Sequence, residues 1–214
     1  MSDQRFDLVI FDCDGVLVDT ERLMVELEAV ILTEMGWPMD AAGVVERFVG
    51  RTHEYMTEEL SRHLGRDLGL DWDEPYRDRY DAAFDRVEPV DGIVDALDEI
   101  VLPTCVASSG SHRRIRRTLG HTGLLPRFEG RIYSADDVGR GKPWPDLFLH
   151  AADAMGTSPD RCVVIEDSTA GVCAARAAGM SVLAYGSGVT RPELLAGAGG
   201  TLFWDMRDLP ALVG

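Results

Sequence analysis

Phe6-Asp7-Leu8-Val9-Ile10-Phe11-Asp12-Cys13-Asp14-Gly15 is the stretch from which the architecture can be read. The short apolar run shows no polar alternation, so it reads as a strand buried on both faces that ends at Asp12. Side chains alternate along extended backbone, which turns Asp12 and Asp14 to one side and Cys13 to the other. Gly15 lets the chain turn sharply there. Three later runs have the same character, over 103–107, 162–165 and 181–185, with helical patterns over 92–100, 111–119, 146–155 and 170–178. Strands alternating with helices of this length build βαβ units. The expected fold class is therefore α/β, a Rossmann-like parallel sheet core with helices on both faces. Ligands of such sheets bind beyond the carboxyl ends of the strands.

The stretch from 20 to 87 breaks that rhythm. It contains no convincing strand and reads as amphipathic helices over 21–35, 41–49, 54–64 and 73–84, punctuated by segments such as Gly36-Trp37-Pro38 and Gly50-Arg51-Thr52. A small all-helical cap inserted after the first strand is expected, dividing the chain into a catalytic core of 1–18 and 89–214 and a cap of 19–88.

Composition narrows the function classes. The 214 residues carry 21 Lys and Arg against 37 Asp and Glu, a formal charge of −16. Such a chain repels phosphate backbones and anionic membranes unless it concentrates its basic residues, and the nearest thing to a patch is Arg113, Arg114, Arg116 and Arg117. No apolar run of about 18 residues offers a membrane span. The first residues, Met1-Ser2-Asp3-Gln4-Arg5, lack the form of a signal peptide, so a cytoplasmic protein without nucleic-acid or membrane partners is expected. Cys13, Cys105, Cys162 and Cys173 share no metal-binding spacing and read as buried free thiols. Among all the basic residues only Lys142 is a lysine.

Polar residues cluster where the strands end. Asp12 and Asp14 pair two carboxylates, which favours a hard cation, although a turn with a helix cap or a nucleotide-sugar transferase motif would share that pattern. Ser108 and Ser109 follow the second strand and precede a helix, where hydroxyls and free N–H groups suit an anion, with Ser111 as the helix cap. Lys142 lies in Gly141-Lys142-Pro143-Trp144-Pro145-Asp146, whose prolines predict a stiff, extended approach to the next helix. A compact ammonium held there can neutralise a phosphate oxygen and a carboxylate together. Glu166 and Asp167 end the 162–165 strand and supply a second pair of acids for an oxygen-ligated magnesium site.

Each piece is weak by itself, and the ordered combination is specific. The segments 11–21, 107–109, 141–146 and 164–172 together resemble the haloacid dehalogenase-like phosphohydrolases, in particular the β-phosphoglucomutase-like branch with its small helical cap. That resemblance implies a Mg²⁺-dependent phosphatase acting on a small phosphorylated sugar, sugar acid or polyol. It implies Asp12 as the nucleophile that becomes an aspartyl phosphate and Asp14 as the general acid and base. Ser108, Ser109 and Lys142 would hold phosphoryl oxygens. Asp12, the Asp14 carbonyl, Glu166 and Asp167 would hold the metal, and Arg51, Thr52 and His53 of a cap loop would contact substrate.

The same branch contains sugar-phosphate mutases. Met24 stands where those carry a histidine, Val49 where they carry a lysine and His53 where they carry an arginine, so hydrolysis is the expected reaction. A mutase and a non-catalytic phosphometabolite-binding module are the alternatives. Met24 and Met56 read as packing residues. Oligomeric state is not legible in the sequence.

Overall fold

The computed structural model describes residues 5–49, 51 and 53–214. Six parallel strands form one sheet: β1 (Leu8–Phe11), β2 (Thr104–Ser108), β3 (Ile132–Ser134), β4 (Cys162–Glu166), β5 (Ser181–Tyr185) and β6 (Thr201–Phe203), in the order β3-β2-β1-β4-β5-β6. The expected α/β class with a Rossmann-like sheet is what the chain adopts. Four of these strands match the apolar runs, whereas β3 and β6 were not anticipated. Both are three residues long and lie at the two edges of the sheet, where a short strand pairs on one side only and carries little hydrophobic pattern.

β1 explains why its run has no polar alternation. Val9 and Phe11 enter one apolar cluster with Val106, Phe128, Val163 and Ile165. Leu8 and Ile10 enter the cluster on the opposite face with Phe148, Val164 and Ala175. Period two is present, but both faces are covered, so both sets must be apolar. Burial of each such side chain stabilises the fold by about 1.5–3 kcal/mol. Phe11 also meets Phe128 edge to face, with ring centroids 6.2 Å apart.

Between β1 and β2 the chain forms α1 (Thr20–Glu34), α2 (Ala41–Phe48), α3 (His53–Leu64), α4 (Arg77–Ala83) and α5 (Ile93–Glu99). The expected helix over 73–84 is broken into two short 3₁₀ turns, 74–76 and 84–86, flanking α4. Pro75 lies in the first of these. The helices before α5 have a core of their own: Val25, Ile31, Leu32, Val44, Phe48, Leu60 and Trp72. The two strands of chain leading in and out run side by side, with Asp19 N–H donating to the Glu88 carbonyl (2.9 Å) and Val90 N–H to the Leu17 carbonyl (3.1 Å).

The remaining helices cover the sheet: α6 (His112–His121), α7 (Leu125–Phe128), α8 (Asp146–Ala154), α9 (Thr169–Ala177), α10 (Pro192–Gly197) and α11 (Leu209–Val213). The arginine row of α6 is not a basic patch. Arg114 pairs with Asp14, Arg116 with Glu129 and Arg117 with Asp85. Cys13, Cys105 and Cys162 are buried free thiols as expected, but Cys173 lies on an exposed part of α9. No helix among the described residues is long and apolar enough to cross a membrane.

Candidate active site

The strand order reverses beside β1. After β1 the chain builds β2 and β3 to one side, then crosses to β4, β5 and β6 on the other. A crevice opens at such a switch point, beyond the carboxyl ends of β1 and β4. Phe11 pairs with Ile165, and Asp12 N–H donates to the Ile165 carbonyl (2.9 Å), which sets Asp12 beside Glu166.

Lys142 joins these two acids. Its Nζ donates to Asp12 Oδ1 and to Glu166 Oε1, both at 2.7 Å, and lies 4.9 Å from the centroid of the Phe148 ring. The side chain is only 4% exposed. Burial alone would push the ammonium down, but Asp12 and Glu166 outweigh it and hold its pKa above the ordinary lysine value. The segment that carries it differs from the expected extended approach. Trp144 N–H donates to the Gly141 carbonyl (3.0 Å), so a tight turn presents the lysine.

The acids divide into occupied and free. Glu166 is fully buried, and its second oxygen, Oε2, accepts from Asp167 N–H (2.9 Å), Ser168 N–H (2.8 Å) and Ser168 Oγ (2.9 Å). A Cβ at Gly171 would collide with this carboxylate, so only glycine fits the first turn of α9 here. Asp167 is equally buried, yet both of its oxygens lack a hydrogen-bond partner among the described residues. Gly15, at φ +76°, makes room for it, since a Cβ there would overlap Asp167 Oδ2. Oxygens from Asp12, Glu166 and Asp167 lie within 4.8 Å of one another, a spacing that could hold a metal ion. Buried carboxylates left unpaired cost several kcal/mol, and a hard divalent cation with oxygen preference offsets that cost. The donor set fits such an ion.

Burial, with Glu166 and Asp14 nearby, pushes Asp12 up to about 7 despite the ammonium. Asp167 is pushed well above the usual carboxylate range by burial, then by Glu21 and Glu166. Asp14 stands differently, on the wall of a cleft of about 390 Å³. Thr20 Oγ1 donates to Asp14 Oδ1 at 2.7 Å, and Arg114 Nη2 sits 3.1 Å from the same oxygen. Neither Thr20 nor Arg114 was expected from sequence as a partner of Asp14. Thr20 lies six residues along the same segment, but Arg114 reaches Asp14 only because β1 and α6 meet in space.

Ser108 ends β2 fully buried, its Oγ accepting from Gly110 N–H (3.1 Å), whereas Ser109 beside it is exposed. Ser111 caps α6 as expected, accepting from Arg114 N–H (3.4 Å). Arg51 and His53 both line the cleft, as do Met24, Val49 and Met56. His53 is committed to structure as well: its Nε2 lies 2.8 Å from the Leu70 carbonyl and its ring stacks on Trp72. The predicted contact Thr52, with Gly50, lies outside the described residues. Glu28, on the same wall, is pushed up to about 7 by burial.

A carboxylate at a strand end, a buried lysine bridge and a second acid without a donor thus meet at one switch point of the sheet. The profile of the haloacid dehalogenase-like hydrolases matches residues 6–179. The chain belongs to that family. It is an enzyme of the phosphoric-monoester hydrolase kind, and its relatives include several phosphatases. The 6-phosphogluconate phosphatase of Escherichia coli (strain K12) is 32% identical over 183 residues, covering 85% of this chain and 83% of that protein. A haloacid dehalogenase-like protein of unknown function from Agrobacterium tumefaciens, ATU0790, superposes with a TM-score of 0.89 at 40% identity, covering 97% of each chain. A beta-phosphoglucomutase-like protein of Thermotoga maritima shares the fold, with a TM-score of 0.79 at 24% identity over 97% of this chain and 98% of its own.

Proposed function

We propose that this haloacid dehalogenase-like hydrolase is a Mg²⁺-dependent phosphatase of a small sugar, sugar acid or polyol phosphate, working through an aspartyl phosphate. The observation that carries the reading is the buried Lys142 bridge between Asp12 and Glu166, with the unpaired Asp167 beside it. Asp12 is the nucleophile. Its carboxylate oxygen forms a bond to phosphorus as the bond to the leaving oxygen breaks, and Asp14 gives that oxygen a proton. Asp14 then takes a proton from the water that attacks the acyl phosphate, which releases inorganic phosphate and restores Asp12. Splitting one displacement into two lowers each barrier. Lys142, Ser108 and Ser109 hold phosphoryl oxygens. Thr20 and Arg114 fix the Asp14 carboxyl, so that its proton is delivered from one position.

Asp12, Glu166 and Asp167, with the main-chain carbonyl of Asp14, would hold Mg²⁺. When bound, it neutralises negative charge on the transferring group. The helical segment 19–88 serves as the cap, and Arg51, Thr52 and His53 meet the substrate body. Met24 and Val49 face the cleft with no charge to grip a second phosphate, which supports hydrolysis over mutase chemistry. The 6-phosphogluconate phosphatase relative supports a sugar-acid phosphate among the substrates to try first.

The experiment is phosphate release from a panel of phosphorylated metabolites with Mg²⁺ and with chelator, alongside mass spectrometry of the trapped enzyme. A Mg²⁺-dependent release with the phosphoryl group on Asp12 is expected. Release undiminished by exhaustive chelation would remove the metal. Conversion of β-glucose 1-phosphate to glucose 6-phosphate faster than phosphate release would make the protein a mutase.

A further inference from the structure

We propose that Glu21, in the first turn of α1, is a member of the cation site contributed by the helical segment, meeting the hydration shell of the ion that Asp167 holds. The inference rests on the reading of the strand-end acids as a Mg²⁺ site and adds to it a residue from outside the sheet.

Glu21 Oε2 is fully buried and has no hydrogen-bond partner among the described residues. The same is true of both oxygens of Asp167, a side chain that is 1% exposed. The Glu21 and Asp167 carboxyls lie within hydrogen-bonding reach of each other. Both line a second cavity of about 380 Å³, together with Gly15 and Gly188. Glu21 also lines the first cleft with Asp14, so it stands between the two spaces.

Two facing carboxylates repel when both are ionised, and burial amplifies the repulsion, so the pair needs either a shared proton or a cation. The local charges are unbalanced in the same direction: Asp12, Glu21, Glu166 and Asp167 face a single ammonium on Lys142, while Arg114 is spent on Asp14. Mg²⁺ dehydrates reluctantly and keeps several waters, which need acceptors. An acid facing Asp167 across a cavity is suited to accept from such waters. Because Glu21 belongs to α1 and Asp167 to the loop after β4, the shared ion would tie the helical segment to the sheet. Binding the ion and seating the cap would then favour each other.

The test is calorimetric titration with Mg²⁺ of the full chain, its Glu21→Gln and Glu21→Asp variants and Asp167→Asn, with hydrogen exchange of α1 amides measured with and without the ion. Wild type should bind Mg²⁺ and gain protection along α1. Glu21→Gln should bind at least about tenfold more weakly, in the range of losses seen when groups around the ligands are removed, and should lose the Mg²⁺-dependent protection. Glu21→Asp keeps the charge and should fall between, which also covers a failure of the glutamine variant to fold. Absence of Mg²⁺ binding in wild type would overturn the metal site itself. Wild-type binding that is lost in Asp167→Asn but unchanged in both Glu21 variants, with α1 protected alike, would leave the site standing and overturn the role of Glu21. A raised KM with unchanged Mg²⁺ affinity would likewise overturn it and assign Glu21 to the substrate cleft.

Discussion

The carboxyl end of the sheet and the cleft face of the helical segment are built to different tolerances. At the sheet end, Lys142 is buried and held at 2.7 Å from two acids, and two glycines leave only the space the acids occupy. At the cleft face, Arg51 is exposed and lies 5.4 Å from the Tyr55 ring centroid, and His53 divides its contacts between the Leu70 carbonyl and Trp72. Buried hydrogen-bonded charges cannot shift without leaving a partner unpaired, whereas exposed side chains can be exchanged at little cost. On the proposed function, the difference would separate the reaction from the choice of substrate, with chemistry at the tightly held sheet end and recognition at the exposed cleft face.

Substitutions should respect that division. The largest effect belongs to Asp12→Asn, which removes the proposed nucleophile while keeping an almost isosteric side chain. Phosphate release should fall by roughly 10⁴-fold or more, with the circular dichroism spectrum unchanged, and substantial residual turnover would move the nucleophile elsewhere. Next is Lys142→Ala. It leaves Asp12 and Glu166 buried without their shared cation, so urea unfolding should show a loss of about 3–5 kcal/mol together with the loss of activity. A stability change under about 1 kcal/mol would mean that the bridge contributes little to the fold.

A pH titration sharpens the contrast from the side of the protons. Burial raises Asp12 and Glu21 to about 7, above their values in the unfolded chain. The folded, metal-free protein therefore holds more protons than the unfolded one between about pH 4 and 7. Its stability should decline as pH rises through that window. Mg²⁺ competes with those protons, so its affinity should move oppositely and weaken as pH falls below about 7. Melting curves with and without Mg²⁺ across this range check both signs, and parallel curves would contradict them.

The smallest effects should come from the cleft face. Arg51→Ala and His53→Ala should raise KM or reorder the substrate panel by about tenfold or less, and leave kcat on the best substrate nearly intact. His53→Ala should also lower stability by about 1 kcal/mol through loss of the Leu70 contact. A collapse of kcat in either variant would break the division between the two regions.

Much of the core was legible because its signals are local. The unbroken apolar runs of β1, β2, β4 and β5 mark strands covered on both faces, the acids and the serine stand directly at or just beyond strand ends, and Lys142 is marked by the prolines that follow it. β3 and β6 were not legible, because three residues at a sheet edge carry too little pattern. The Gly141–Trp144 segment reads as extended because its prolines constrain φ, but they do not dictate the Trp144 N–H to Gly141 carbonyl hydrogen bond that closes it into a turn. Arg114 and Glu21 carried no signal as site residues. A helix arginine and a first-turn glutamate are ordinary on a surface, and only their neighbours make them otherwise.

From the order of its residues alone, the chain determined an α/β sheet, a helical insertion after the first strand and the set of carboxylates, serine and lysine proposed for phosphoryl transfer. Strand burial, turn formation and charge type are properties of short segments, so they survive reading in one dimension. The tertiary structure decided which acids are satisfied and which are free. Glu166 is bound by Lys142 and its own loop, Asp167 is left open beside Glu21, and Asp14 is steadied by Thr20 and Arg114. The physical reason is that hydrogen bonds and burial act over a few ångströms, and β1, α1, α6 and the loop after β4 come that close only when the sheet and the helical segment are folded together.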